Sequence, residues 1–403
     1  MIFENNKKSP KGLKILITTG IYPPDIGGPA TYLTQFTKFL LKNNCEIRVI
    51  TFSDVIEDKK YDSDFKVIRV LRNCNVFFRL IKYFVQIIKN SKDIDIIYLH
   101  DVSLCGLALL FANLFIKKKY IVRIGGDIAW EHAYQKGLIK EEYFGSYDSK
   151  QVLSLSTLIK RFLSKRVYKN AHKVIVPSEF LKKTIKAYNI ADNKIEVIHN
   201  AIDCFHISNI NDYENEKIFK YVKNERDNGN KIFISSGRLI NLKKFDYLID
   251  IFSNVNNAKL LIIGSGPEEK KLRQLIRKLK LENKVILTGK IDREELLNLY
   301  SLADAFVLLS VVETFSFATL EALLSGVRVI LSKQGALEEI FGEFNNRGVK
   351  FIDLNNKENI IHILNNIDNM RQIHEEDIKR LKEKFNYEKH LSGVYNIILN
   401  IVK

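Results

Sequence analysis

Two glutamates eight residues apart, Glu313 and Glu321, flank Ser316-Phe-Ala-Thr319, and the chain's chemically informative residues are densest here. The apolar run Ala305-Phe-Val-Leu-Leu309 just before them reads as a short buried strand. A helix is expected to start near Phe317, with Ser316 as its N-cap and Gly326 just past its end. Glu313 then lies in the strand-to-helix loop and Glu321 on the second helical turn. Between them, the free amides of Phe317, Ala318 and Thr319 offer the kind of helix start that can hold a phosphate. One carboxylate could accept hydrogen bonds from sugar hydroxyls on one side of a diphosphate, and the other from ribose hydroxyls on the far side. That is the chemistry of a nucleotide-sugar site. Two solvated acids flanking an ordinary helix are the plain alternative.

The strand Ile232-Phe-Ile-Ser-Ser236 runs into Gly237-Arg238-Leu-Ile-Asn-Leu-Lys243-Lys244. A guanidinium fork with an ammonium five residues on suits a diphosphate leaving group, whose charge builds as the bond breaks. Solvated surface cations are the alternative, and for Lys244 the preferred one. Leu261-Ile-Ile-Gly264-Ser-Gly266-Pro267 is a strand entering a Gly-x-Gly-Pro turn that opens a helix. It lacks both the full Gly-x-Gly-x-x-Gly spacing and an acid on the following strand, which argues against a nicotinamide cofactor.

The elements that must position these residues alternate strand and helix almost throughout. Strands are expected at Lys14–Thr18, Glu46–Thr51, Lys66–Val70, Asp95–Leu99, Tyr120–Ile124, Lys173–Val176 and Ile195–Ile198. A second series reads at Ile232–Ser235, Lys259–Ile263, Val285–Leu287, Ala305–Leu309 and Val327–Leu331, each followed by a helix. The polar stretch Asn209–Asn230 marks a linker. The expected architecture is α/β, with two tandem Rossmann-like doubly wound domains over residues 1–208 and 231–386 and ligands in an interdomain cleft at the strands' carboxyl ends. The last helix, from Tyr387, is expected to pack back on the first domain.

With 403 residues, 46% of them hydrophobic, there is material for two cores. Cys45, Cys74, Cys105 and Cys204 are scattered and form no Cys-x-x-Cys, as in a reduced cytoplasmic protein. No signal peptide or spanning segment is visible in the sequence. Of the net charge of +16, residues 1–205 carry +13. A basic surface attracts nucleic acid, anionic lipid or a phosphate-bearing substrate. Without zinc-finger spacing or an RNA-binding aromatic signature, nucleic acid is not expected. Val76–Asn90 sets apolar residues at helical spacing beside Arg79, Lys82 and Lys89. A core-facing amphipathic helix is the preferred reading, and a membrane-interface helix the other.

Gly237-Arg-Leu with Lys243, then Gly264-x-Gly266-Pro267, Glu313 with Phe315-Ser316, Glu321-Ala322, Gly326 and Gly335-x-x-Glu338 follow in the order and spacing of a known family. In this the chain resembles the family-four retaining glycosyltransferases. The resemblance covers nearly all of residues 230–342. It extends more loosely to Tyr22-Pro-Pro-x-x-Gly27-Gly28, Val176-Pro-Ser-Glu-Phe180 and Val197-Ile-His-Asn-Ala-Ile-Asp203. It implies the GT-B fold with the nucleotide sugar held mainly by the second domain. Arg238 and Lys243 would neutralise the diphosphate, Glu313 would contact the transferred sugar and Glu321 the ribose. Lys244 stands where the family usually has Gly, Leu337 where it often has Pro, and Ala201 where Gly is common.

After Tyr120–Ile124, where many members place a histidine facing the sugar, the chain reads Arg123-Ile-Gly125-Gly126-Asp127-Ile-Ala-Trp130-Glu-His132. Asp127 is the expected replacement, with His132 as its rival. Trp130, the only tryptophan, could stack on a sugar face or pack in the core. His100, beside Asp101 at a strand end, is a further acceptor-side candidate, and Gly27, Gly28, Gly264 and Gly266 are donor-binding candidates, since glycine permits close backbone approach. Asp93-Ile-Asp95 precedes a strand at its amino end with no further ligand nearby, so no metal site is expected.

The expected activity is metal-independent retaining transfer of a hexosyl unit from a UDP- or GDP-sugar, with no separate cofactor. The acceptor is a lipid-linked or glycan hydroxyl in bacterial-type surface glycan assembly. The setting is cytoplasmic, with peripheral contact to an anionic membrane surface at the inner face of the plasma membrane. A sugar-nucleotide 2-epimerase and a non-catalytic nucleotide-sugar-binding subunit are the alternatives.

Overall fold

The computed structural model of the chain describes residues 12–25, 27–139, 154–202 and 217–403. Two compact units divide it, one running to His199 and including Glu388–Lys403, the other spanning Asn200–Tyr387.

In the first unit, β1 (Lys14–Thr19), α1 (Gly28–Lys42), β2 (Glu46–Ser53) and β3 (Lys66–Leu71) build one half of a sheet. Then α2 (Val76–Asn90) leads to β4 (Ile96–His100), and α3 (Leu104–Ile116) to β5 (Tyr120–Arg123). Two helices, α4 (Ile128–Gln135) and α5 (Leu155–Asn170), precede β6 (Lys173–Val176), and α6 (Glu179–Lys186) precedes β7 (Ile195–Val197). The strand order is β3-β2-β1-β4-β5-β6-β7, with every pair parallel. Strands such as β1 read as near-continuous apolar runs because both sheet faces are covered, and Ile15, Leu16 and Ile17 are fully buried. Since α1 moves outward from β1 while the later connections run the other way, right-handed crossovers place α2, α3 and α5 together on the opposite face. Their buried residues form one cluster with the sheet.

The second unit begins with α7 (Lys217–Asp227) and β8 (Lys231–Ser236), then α8 (Phe245–Phe252), β9 (Ala258–Ile263), α9 (Glu269–Lys278) and β10 (Val285–Gly289). It continues through α10 (Arg293–Ser301), β11 (Ala305–Leu308), α11 (Phe317–Leu324), β12 (Val329–Ser332), α12 (Leu337–Phe341) and β13 (Val349–Ile352). Here the order is β10-β9-β8-β11-β12-β13, again parallel. After α13 (Lys357–Asn365) and α14 (Glu375–Lys384), α15 (Tyr387–Val402) belongs to the first unit. There Tyr395 packs edge-on to Phe39, 5.9 Å away, and receives a hydrogen bond from Cys45.

Two differences from the sequence reading stand out. Residues 217–227, assigned to a linker, form α7, because Phe219 and Val222 are fully buried against the second sheet. The remainder of that linker up to residue 216 lies outside the described residues, as do Asp203 and Cys204. The strand β13 was not anticipated. Its four residues, Val-Lys-Phe-Ile, give too short an apolar pattern to stand out.

Candidate active site

In a doubly wound sheet the crevice opens where strand order reverses, at the carboxyl ends of the two strands flanking that point. The reversals fall between β1 and β4 in the first unit and between β8 and β11 in the second. Each unit places a cluster of polar side chains there.

In the second unit, the loop after β8 carries Arg238 and Lys243, and the loop after β11 carries Glu313. Lys243 Nζ donates to Glu313 Oε1 in an ion pair whose side chains are 21% and 10% exposed. The same carboxylate oxygen accepts from Ser310 Oγ at 2.6 Å. Arg238 is exposed, and no described residue accepts from its guanidinium. The Glu313 backbone is pinned by the next crossover: Ala336 N donates to Glu313 O at 2.7 Å, and Gly335 adopts φ +69° against it. A Cβ on Gly335 would lie 2.2 Å from that oxygen, so only glycine fits.

The Gly264-x-Gly266 turn also acts through close packing. A Cβ on Gly264 would sit 1.9 Å from Gly237 O, and one on Gly266 2.3 Å from Leu239 O. Gly237 N and Leu239 N donate to Ile263 O and Ser265 O across the same seam. The faces of these donor-side candidates that lack side chains are filled by the loop that carries Arg238, which they hold in place. Lys244, standing where the family has Gly, adopts φ +51°, a left-handed conformation that costs a side chain about 1 kcal/mol.

Helix α11 starts at Phe317 with Ser316 as cap, its Oγ accepting from Thr319 N at 3.3 Å. The first two amides, of Phe317 and Ala318, are therefore the ones not taken by the cap side chain. Glu321 faces Arg293 from α10, whose Nε donates at 2.7 Å. Burial raises the Glu321 pKa, against the opposing pull of Arg293. Neither Ser310 nor Arg293 was nominated from sequence. Ser310 extends an apolar strand by one residue, and Arg293 comes from a different element.

In the first unit a cavity of about 620 Å³ opens between the ends of β1 and β4. Its wall includes Thr19, Gly20, His100, Asp101, Arg123 and Glu131, together with Val76 and Arg79 from the first turn of α2. His100 Nδ1 and Arg79 Nε are buried and have no hydrogen-bond partner among the described residues. Burial, reinforced by Arg123, pushes the His100 pKa down to about 3, so this imidazole is neutral. Asp101 accepts from Ser103 N at 3.0 Å and Ser103 Oγ at 2.5 Å.

Arg123 is 6% exposed, its guanidinium 3.6 Å above the Tyr32 ring. Its Nη1 lies 3.1 Å from Nε2 of His390 on α15. Because arginine can only donate, that Nε2 is the acceptor, and His390 Nδ1–H donates to His199 O at 2.6 Å. Burial first, then Arg123, lower the His390 pKa to about 3.

Three sugar-side expectations, at Asp127, Trp130 and His132, require correction. Asp127 is fully buried as the N-cap of α4, accepting from Ala129 N, Trp130 N and the Tyr188 hydroxyl, the last at 2.8 Å to both oxygens. Its carboxylate has no face left for a sugar. Trp130 is fully buried and stacks on Tyr134 at 5.3 Å, so it cannot meet a ligand. His132 points to Ser156 Oγ, 3.2 Å away, and is absent from the cavity wall. From the 23–28 loop region, Ile21 and Pro29 line the cavity; Gly27 instead caps α1, its carbonyl accepting from Thr31 N, and Gly28 opens that helix. The acid that faces the cavity from α4 is Glu131, whose Oε1 lies over Gly126. It sits four residues after Asp127, one helical turn on, and that spacing was the available signal.

Comparison with known proteins bears on both units. Residues 216–384 match the family described as glycosyl transferases group 1, and residues 26–204 match Glycosyltransferase Family 4. An uncharacterised glycosyltransferase of Methanocaldococcus jannaschii is 26% identical over 343 residues, covering 81% of this chain and 82% of that one. The alpha-monoglucosyldiacylglycerol synthase of Streptococcus pneumoniae is 25% identical over 328 residues, covering 79% and 70%. Among solved structures, Anabaena HepE in complex with UDP and glucose superposes with a TM-score of 0.71 at 17% identity, over 96% of this chain and 99% of that one. This last likeness establishes the fold, two Rossmann-like domains.

Proposed function

The protein belongs to the group 1, family 4 glycosyltransferases, and from that premise we propose that it moves a hexosyl unit from UDP- or GDP-sugar to a hydroxyl of a lipid-linked or glycan acceptor in surface glycan assembly. The observation that carries the donor side is the Lys243–Glu313–Ser310 cluster, whose lysine shares its loop with Arg238, an exposed cation with no partner among the described residues. An arriving diphosphate draws Lys243 away from Glu313, which frees carboxylate oxygens for sugar hydroxyls. Arg238 and the amides at the start of α11 take the remaining charge. Two fixed cations at this position do the work of a divalent ion, so the reading is metal-independent and needs no cofactor beyond the sugar nucleotide. Glu321, already oriented by Arg293, is the ribose contact.

The acceptor is assigned to the first unit, in the cavity at the end of β4. A neutral His100 with a bare Nδ1 can accept a hydrogen bond from an acceptor hydroxyl, and Arg79 can meet an anionic group next to it. The name of the pneumococcal relative, a synthase of a glucosylated diacylglycerol, supports a lipid among the acceptor classes. Such an acceptor places the enzyme at the inner face of a plasma membrane.

Glu313 is engaged by Lys243 and Ser310, which suits hydroxyl recognition better than attack on carbon. Transfer with retention then follows from front-face attack. The acceptor oxygen bonds to C1 as the C1–O bond to the diphosphate breaks, and the acceptor proton leaves on the departing phosphate oxygen. The test is incubation of the protein with UDP- and GDP-sugars and a lipid fraction, with Arg238→Ala and Glu313→Ala alongside. Nucleoside diphosphate release with glycosylated lipid, both lost in the variants, supports transfer. An epimerised donor sinks it, and an inverted anomeric product sinks the retaining step.

A further inference from the structure

The outer helices of a doubly wound unit normally turn a polar face to water, and in the first unit one layer does not. Of the fourteen large apolar side chains exposed among the described residues, eleven lie on α2, α3 and α5. These three helices pack side by side on one face of the sheet. On α2 the outward stripe includes Phe77 (65% exposed) and Ile81, and on α3 it includes Leu114 and Phe115 (71% exposed). On α5 Leu158 and Phe162 continue it at helical spacing, and the Arg166 guanidinium lies 5.1 Å above the Phe162 ring. By contrast, α1 on the opposite face exposes Thr31, Lys38 and Lys42 and no large apolar side chain.

Charge tells what covers this face. Across α2, α3 and α5 there are eight Lys and Arg and not one Asp or Glu. A second copy of the chain docked on the same patch would bring those cations against their own kind, which disfavours self-association. No described helix is long and apolar enough to cross a membrane, so the layer can only lie flat on a surface. The patch is also continuous with the cavity: Val76 and Arg79 of α2 and Leu104 of α3 line its wall while the neighbouring Phe77 and Phe78 face outward.

We propose that the α2–α3–α5 face docks on an anionic lipid bilayer, its aromatic and aliphatic side chains in the interface and its cations on the headgroups, with the cavity mouth at the membrane surface. This rests on the reading of an amphiphilic acceptor only for its purpose, since docking requires no turnover. Each cation held near an anionic surface adds roughly fivefold to partitioning, so the contrast with neutral lipid should be large.

The test is vesicle flotation of the full chain with phosphatidylcholine alone and with phosphatidylcholine plus phosphatidylglycerol. The expected result is at least about tenfold stronger binding to the anionic vesicles, weakened by added salt. The double variants Phe77→Ser/Phe115→Ser and Lys165→Glu/Arg166→Glu should each lose about tenfold in binding while keeping the wild-type melting temperature. Lys38→Glu/Lys42→Glu on α1 should bind as wild type. Equal binding to both vesicle types, no binding, or an equal loss in the α1 variant overturns the proposal. So does self-association in sedimentation that the Phe77/Phe115 variant abolishes, since a second copy is then the occupant. Docking without transfer would remove the catalytic reading and leave this one standing.

Discussion

After β11 the second unit holds Glu313 between Lys243 and Ser310, whereas in the first unit His100 Nδ1 and Arg79 Nε, both on the cavity wall, are buried without a partner among the described residues. At one switch point the largely buried charges of Lys243 and Glu313 are matched before any ligand arrives, with the exposed Arg238 left over; the other stores unmet hydrogen-bonding capacity in its buried groups. A matched pair can exchange partners with a diphosphate at little net cost. A buried unmatched nitrogen is destabilising by itself and gains on binding. The difference suits the proposed roles, a charged leaving group released on one side and an acceptor hydroxyl held still on the other.

The sharpest way to break the contrast is Arg238→Ala. Removing one preorganised donor to a developing charge should lower kcat/KM by about a hundredfold or more. Its melting temperature should be unchanged, because no described residue accepts from the exposed guanidinium. Steady-state nucleotide release with parallel thermal melts decides this, and a loss of stability would show that the cation is structural.

Glu313→Gln should come next. It uncouples Lys243 from a pair that is largely out of water, and should cost about 2 kcal/mol in urea unfolding as well as activity. An unchanged urea midpoint would mean that the pair is not formed in the free protein.

Asp127→Asn should behave in the opposite sense. With the carboxylate acting as a helix cap and as partner to Tyr188, the substitution should lower stability by about 1 kcal/mol and leave kcat within a few fold. Collapse of kcat in a fully stable variant would reinstate Asp127 at the sugar.

The neutral histidines predict a pH effect with a definite sign. His100 and His390 are held down to about 3, while the unfolded chain titrates near 6.5. Below pH about 6.5 the unfolded state binds protons that the folded state refuses, so stability should fall as pH drops from there toward 3. Each group steepens the slope by up to about 1.4 kcal/mol per pH unit. His100→Gln should flatten the pH dependence of the urea midpoint, and an unchanged slope would mean that the ring already charges in the folded state.

The smallest effect is expected at His132. Its ring meets Ser156 at the surface, so His132→Ala should change stability by less than about 0.5 kcal/mol and activity hardly at all.

The second unit's site was legible because its motif residues are constrained by backbone packing. Gly335 against Glu313 and Gly264 against Gly237 allow no other residue, and such constraints leave fixed spacings in the sequence. The start of α11 at Phe317 and its cap at Ser316 were readable for the same local reason. The first unit's cavity was not legible in this way. Its wall is assembled from side chains of separated segments; neither Arg79 nor Arg123 carries a local signature, and Glu131 has only its helical spacing from Asp127. The residues that did carry one, Asp127 and Trp130, owe it to a helix cap and a packed core. Likewise, helix Val76–Asn90 shows its amphipathic period plainly, but whether its apolar residues meet the core or the solvent depends on neighbours that a single strand of sequence does not reveal. Tyr83 and Ile87 turn inward, while Phe77 and Phe78 do not.

The return of α15 to the first unit has a consequence for the order in which the protein can be built. Residues up to His199 leave the ribosome with β1 to β7 complete, yet Phe39, Cys45 and the buried guanidinium of Arg123 wait for Tyr395 and His390. All of the second unit is synthesised in between, an interval on the order of ten to forty seconds at ordinary elongation rates. The second unit is thus an insertion that can finish folding first, and the domain begun earliest is sealed last.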